Sequence, residues 1–309
     1  MKALYWIIAS FIAISGLGTM ALGVSRMRHE KPVYTSSKES YESIRNLDID
    51  LGSEELTVVS SADAKVCTVE FVEVSENVIV KQDGDTLRIN IKPNTGLSFI
   101  DFNTPNSKII ITLPEEELKD VLIDNGSGGV SVEHVKADVV KVDNGSGGIA
   151  INAVKGRTGS FESGSGSVAV ADSTFTEQTK LHTGSGGITG SGLTAEGTLT
   201  LHTGSGSLSL ENVSAGQTRG DSGSGSLKLK NIRLTAASEF KAGSGDVELV
   251  LTGDQKEYIV SGSTGSGTQN IEGAGGQKNA DAVNVLVSAG SGDISVSYAA
   301  PATAQQATE

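Results

Sequence analysis

After residue 125 the tripeptide Gly-Ser-Gly recurs at a near-constant step in nine copies, starting at Gly126, Gly145, Gly164, Gly184, Gly204, Gly223, Gly243, Gly265 and Gly290. The steps between copies are 19, 19, 20, 20, 19, 20, 22 and 25 residues. Gly-Ser runs are usual in flexible linkers. A linker has no reason to keep apolar residues in register, yet LHTGSGGITG at Leu181 is followed one step later by LHTGSGSLSL at Leu201. Three residues before the tripeptide stand Ile123, Val142, Phe161, Leu181, Leu201, Gly220, Phe240, Gly262 and Val287. Four residues after its first glycine stand Val130, Ile149, Val168, Ile188, Leu208, Leu227, Val247, Gln269 and Ile294, and a second, largely apolar column follows two residues on. The residues between are small or polar. This is period-two alternation on both sides of a glycine corner.

A single coil of this kind cannot bury its apolar side. Stacking coils about 4.8 Å apart pairs each strand with its neighbours and encloses a continuous interior. The predicted fold is therefore all-β, a single-stranded β-solenoid (β-helix) of about 19–20-residue coils with Gly-Ser-Gly corners. Glycine at the corner offers positive φ and also removes the Cβ where coils approach closely. A rival is a series of antiparallel hairpins with Asn125-Gly126 and Asn144-Gly145 as turns. Stacking is favoured, because later copies place Ser, Thr or Ala before the glycine while the step persists. The longer steps at the C-terminal end suggest capping there.

The rest of the chain divides around the repeat. Residues 1–24 hold an uncharged run over 3–24 after Lys2, followed by Arg26, Arg28 and Lys31. That run suits a signal peptide or a retained N-terminal membrane anchor, with retention slightly favoured by its length and poor cleavage motif. Residues 25–43 read as a polar tether, 44–118 as N-terminal β-strands capping the stack, 119–298 as the repeat, and 299–309 as a disordered tail. Within the cap, 78–81 and 86–91 flank an Asp-Gly turn and form a hairpin. The single cysteine excludes an intrachain disulfide; Cys67, Val69 and Phe71 share one strand face, as a buried residue would.

The net charge of −13 argues against nucleic acid, and no aromatic platform for it is present. No Walker motif, dinucleotide fingerprint or HExxH occurs, and no cofactor is expected. GSGSV at Gly164 resembles a nucleophile elbow by letter, but it recurs through the repeat and lacks a strand-to-helix setting. The column that could carry function lies two residues before each tripeptide: Asp124, Asp143, Glu162, His182, His202 and Asp221, then Lys241, Ser263 and Ser288. Stacking would set these out as an exposed ladder. Like charges one coil apart repel unless solvent or a cation relieves them. Calcium is conceivable on the acids, although the nonapeptide of calcium-filled rolls is missing. Zinc on His182 and His202, with Glu162 or Asp221, is disfavoured by a ladder too straight to wrap a tetrahedral ion. A solvated face is the plain reading, with no metal and no catalytic residue assigned.

The segments LDIDLGSEELTVVSS and IIITLP, with the repeated GSGGVSV-like corner, resemble one bacterial family across residues 44–298. It is the β-strand-repeat family labelled "putative adhesin", otherwise a domain of unknown function. In that resemblance residues 109–114 match the strand-Leu-Pro step and each Gly-Ser-Gly matches a coil corner; the acidic run at Glu115 departs from the pattern. The resemblance implies a cell-envelope protein, membrane-anchored or periplasmic/extracellular, with no assigned catalytic residues. The expected function is a non-enzymatic, adhesin-like binding module. Its expected partners are an envelope protein or surface polymer, and the membrane through the N-terminal segment. The alternatives are a membrane-anchored scaffold or envelope-stress accessory and, less favoured, a polysaccharide-active enzyme.

Overall fold

A computed structural model describes residues 34–75, 78–91 and 107–299. The expected anchor at 1–24, the first part of the tether and the tail from 300 onwards lie outside the described residues. Among the described residues no helix is long and apolar enough to cross a membrane.

The structure is all-β and solenoid-like. Among the described residues there are 24 strands, and the helical content is one 3-10 turn, Gln255–Glu257. Each coil contributes a strand to a first face, turns at the Gly-Ser-Gly corner, and contributes a strand to a second face. On the first face Lys136–Asn144 pairs in parallel with Leu118–Asn125 on one side and Lys155–Ser163 on the other. On the second face Ile149–Asn152 lies between Val130–Glu133 and Val168–Ala171. The register places Val142 opposite Ile123 and Phe161, and Ile149 opposite Val130 and Val168. The apolar columns therefore stack on themselves, and all six of these residues are buried. The difference between 19- and 20-residue coils is absorbed away from the corners. Register shifts fall between Gly156 and Thr158, where Thr174–Thr183 carries one residue more, and between Ala195 and Thr198.

The corner explains its glycines by space alone. None of the nine corner tripeptides has a glycine at positive φ; the off-step Gly190-Ser191-Gly192, whose Gly192 has φ 74°, belongs to the opposite turn. A Cβ on Gly145 would lie 2.5 Å from the Gly126 carbonyl oxygen, and one on Gly147 would lie 2.1 Å from that of Gly128. Neighbouring coils hydrogen-bond through this point, as in Gly145 N to Asn125 O at 2.9 Å and Ser146 N to Gly126 O at 2.9 Å. The backbones are too close for a side chain. Of the two roles that sequence assigns to these glycines, only close approach is used.

Positive φ appears at the opposite turn, where the second-face strand ends. His134 (56°), Ala153 (52°), Asp172 (45°), Gly192 (74°), Asn212 (54°) and Asn231 (52°) form one column there. Asn231 Nδ2 donates to Asn212 Oδ1 at 3.2 Å, and Asn212 Nδ2 to Ser191 Oγ at 3.4 Å.

Coil order departs from chain order at both ends. Asn46–Leu51 and Glu55–Ser61, the first coil in sequence, are second in space. They lie between Thr86–Ile91 with Lys108–Pro114 on the outside and Leu118–Asn125 with Val130–Glu133 on the inside. Val283–Ala289 and Ile294–Ala299, last in sequence, slip between Ser238–Ala242 with Val247–Thr252 and the outermost Tyr258–Thr264 with Gln269–Ile271. The steps of 22 and 25 residues thus mark an exchange of order: Gly290 packs on Gly243, and Gly265 on Gly290. Residues 34–41, expected as tether, form the strand Tyr34–Tyr41 beside Cys67–Ser75. Cys67, Val69 and Phe71 are buried, and burial pushes the Cys67 thiol up to about 12, away from thiolate reactivity.

Candidate functional site

The outward side of the first face carries the ladder. Register places Asp124 beside Asp143, Asp143 beside Glu162, Glu162 beside His182, His182 beside His202, and His202 beside Asp221. All six residues singled out from sequence are brought into one line. Beyond them, Lys241 neighbours Asp221 and Ser288, and Ser263 is outermost, so the expected order of the two serines is reversed. At the other end the ladder is longer than the repeat shows. Asp50 neighbours Asp124, and Asn90 neighbours Asp50. Four carboxylates therefore occupy consecutive coils, about 4.8 Å apart by the strand spacing of a sheet.

Lysines on the same face relieve half of this repulsion. Lys141 Nζ lies 2.6 Å from Asp143, and Lys180 Nζ lies 2.7 Å from Glu162. The hydrogen bond to Asp143 raises the Lys141 pKa. At Glu162 partial burial favours the neutral acid, but the bond and charge of Lys180 outweigh it and the pKa falls. Asp50 and Asp124 are exposed and have no ion-pair partner among the described residues. His182 and His202 stack with ring centroids 4.9 Å apart and planes within 7°, and Asp221 Oδ2 lies 3.9 Å from His202 Nδ1. Burial, then the neighbouring imidazole, lowers the His182 pKa. A shallow depression of about 370 Å³ follows Asp124, Asp143, Glu162 and His182 along the corner.

This geometry offers a row of charges in one plane rather than a convergent set. Among the described residues no three His, Cys, Asp or Glu side chains come together as metal ligands. The carboxylates share one side of a flat sheet, whereas glycoside hydrolysis needs two that flank a bond from opposite sides. Ser165 belongs to a corner, with its N–H donated to Gly145 O at 3.2 Å, and does not sit on a strand-to-helix elbow.

A second column, not singled out from sequence, holds the site's backbone in place. The residue just before each tripeptide points inward: Asn125, Asn144, Ser163, Thr183, Thr203 and Ser222 are all buried. Asn125 Nδ2 donates to Gly128 O at 2.8 Å and Glu54 O at 3.1 Å; Thr203 Oγ1 donates to Gly206 O at 2.7 Å; Ser222 Oγ donates to Gly225 O at 2.6 Å. These side chains satisfy corner carbonyls that the tight turn leaves inside. Asn125 and Asn144 therefore do not form hairpin turns. The signal was a short hydrogen-bonding residue before glycine in copy after copy. A tenth corner, Gly52-Ser53-Glu54, also escaped the count. Its carbonyls lie against Gly126 and Gly128, and Glu54 Oε2 accepts from Gly52 N at 3.1 Å and Ser53 N at 3.0 Å.

The fold and its ladder define an all-β, solenoid-like protein with a flat, charged outer face. Residues 44–202 and 179–297 match the Toastrack DUF4097 family, a domain of unknown function, and the chain belongs to that family. No protein of curated function matches it. Solved structures to which the chain is similar include the following three. A "putative adhesin" from Bacteroides fragilis is 18% identical, with 86% of this chain and 98% of that one covered at a TM-score of 0.37. A "putative cell adhesion protein" from Clostridium sporogenes is 12% identical, with coverages of 87% and 100% and a TM-score of 0.31. A "putative lipid binding protein" from Parabacteroides distasonis is 14% identical, with coverages of 86% and 97% and a TM-score of 0.39.

Proposed function

We propose that the chain is a non-enzymatic, adhesin-like binding module of the bacterial cell envelope, held at the membrane by its N-terminal segment. The observation that carries this reading is the ladder of four carboxylates on consecutive coils, two of them without an ion-pair partner among the described residues. A flat face with regularly spaced charge suits an extended ligand better than a small substrate. The exposed acids Asp50 and Asp124 select for cationic groups, so the partner is an envelope protein presenting basic residues. A surface polysaccharide is the weaker candidate, because the first-face ladder presents no Trp, Tyr or Phe ring for sugar stacking. The membrane role rests on the uncharged run at 3–24.

The test is binding of the full chain, in detergent, to separated envelope proteins and to purified envelope polysaccharide. Binding to a basic envelope protein should fall at least ten-fold in the Asp50→Asn/Asp124→Asn variant and weaken with salt. Unchanged binding by the variant would move the contact off this face and favour the scaffold reading. Shortening of the polysaccharide on incubation would overturn the non-enzymatic reading.

A further inference from the structure

The outermost C-terminal coil has the features of a self-association edge. Tyr258–Thr264 pairs with Val283–Ala289 on its inner side, and Gln269–Ile271 with Ile294–Ala299. Among the described residues neither has a strand on its outer side, which leaves a row of backbone donors and acceptors available for pairing. Proteins usually protect such edges with charge, proline or a covering strand. This edge has no charge and no proline anywhere in residues 258–271, whereas each coil between Lys136 and Thr252 carries at least two charged residues. Among the described residues, two of the three exposed large hydrophobic side chains, Ile259 and Leu286, stand on the outward first face of the last two coils. The opposite end of the same sheet is closed by antiparallel strands: Val78–Asp83 covers Thr86–Ile91, and Cys67–Ser75 covers Lys108–Pro114. An antiparallel strand is thus the closure this fold already accepts.

We infer that the occupant of the open edge is a second copy of this chain, paired antiparallel through Tyr258–Thr264 about a two-fold axis at Ser261. With a net charge of −13 per chain, two copies repel, and an uncharged edge is where they meet with least opposition. The seven-residue strand is suited to self-pairing. Centred on Ser261, Ile259 faces Ser263, Val260 faces Gly262, and Tyr258 faces Thr264. The exposed residues Ile259, Ser261 and Ser263 stay together on the outer side, and the half-buried Val260 and Thr264 stay on the inner side. The two interiors then run into each other, covering Val260 and Ile271 at the end of the core. Such an interface is isologous and closes on itself, giving a dimer rather than a fibre.

The test is disulfide trapping in the full chain in detergent, with Cys67 left in place because it is buried. Directly opposed residues bring their Cα atoms to about 4.5–5.5 Å, within the range a disulfide spans. Ser261→Cys should give at least ten-fold more covalent dimer under mild oxidation than Ser263→Cys or Ser288→Cys. Light scattering of the unmodified chain should give twice the protein mass of 31.7 kDa, reverting to the single mass in Ile259→Lys. Equal trapping at all three cysteines, a single-chain mass for the unmodified protein, or a dimer that survives Ile259→Lys would each overturn the inference. Trapping of Ser261→Cys to a different protein would also overturn it, by assigning the edge to a foreign strand.

Discussion

The two ends of the stack solve the same problem in different ways. At both, the coil that is terminal in sequence is second in space, held between two others. A chain end placed this way cannot fray by peeling off the last coil. The ends differ in what lies beyond. At the N-terminal end, antiparallel strands cover the outermost coil, and Leu87 and Ile89 are fully buried. At the C-terminal end the outermost coil is uncovered, and Val260 and Ile271 are only partly buried. One end is closed by its own chain; the other is left for something else. A repeat therefore stacks without limit unless its ends are made different, and here the difference is concentrated in a few covering strands.

The comparison can be broken most sharply at the corners, whose geometry is common to the whole stack. Gly147→Ala should cost about 3 kcal/mol or more in urea denaturation, since its Cβ would meet the backbone of Gly128 with no side chain able to yield. Gly129→Ala, whose Cβ would find its nearest atom at 3.9 Å, should change stability by less than about 0.5 kcal/mol. Equal costs would refute close approach as the reason for the glycines.

Between the ends, the contrast is one of burial. In an Ile259→Lys background, Ile89→Ala at the closed end should destabilise by about 3 kcal/mol. Ile271→Ala at the open end should cost less than about 1 kcal/mol in the same background. Similar values would mean that the two ends are equally closed.

A smaller effect follows from the ladder in the middle. Glu162 has a lowered pKa in the folded state, so its contribution is present above its ordinary value near 4.5 and is lost as pH falls through the folded value. His182 is also lowered, so protonation below its ordinary value near 6.5 favours unfolding. Both act in the same direction, and stability should fall with acid. Urea melts from pH 7 to pH 4 should show a shallower decline in His182→Gln below pH 6.5, and in Glu162→Gln below pH 4.5. An unaltered slope in both would remove the ladder from the pH response. The smallest effect belongs to the left-handed column. Ala153→Gly should stabilise by about 0.5 kcal/mol, because relief of φ 52° exceeds the added freedom of the unfolded chain. Destabilisation by thermal melting would show that the turn does not strain alanine.

Much of this architecture is legible in the residues. The Gly-Ser-Gly step marks the corners, alternation around it separates inside from outside, and the six ladder residues from Asp124 to Asp221 align as their column says. The site was less completely legible. Asp50 joined it from a coil 74 residues earlier, and the inward Asn125 and Asn144 look locally like turn residues. Gly52-Ser53-Glu54 hid as a corner because its second glycine is replaced by Glu54, whose carboxylate is bonded to the corner N–H groups.

By itself, then, the sequence determined the coil, its corners and which side chains face outward. These follow from local steric demands and from a two-residue period that each coil carries within itself. Only the tertiary structure decided which coils are neighbours at the ends, and so where Asp50, Gly265 and Gly290 lie. Parallel coils recognise one another through backbone hydrogen bonds and similar apolar columns, which every coil offers alike. The choice among such partners is made when the covering strands and the closing coil pack together.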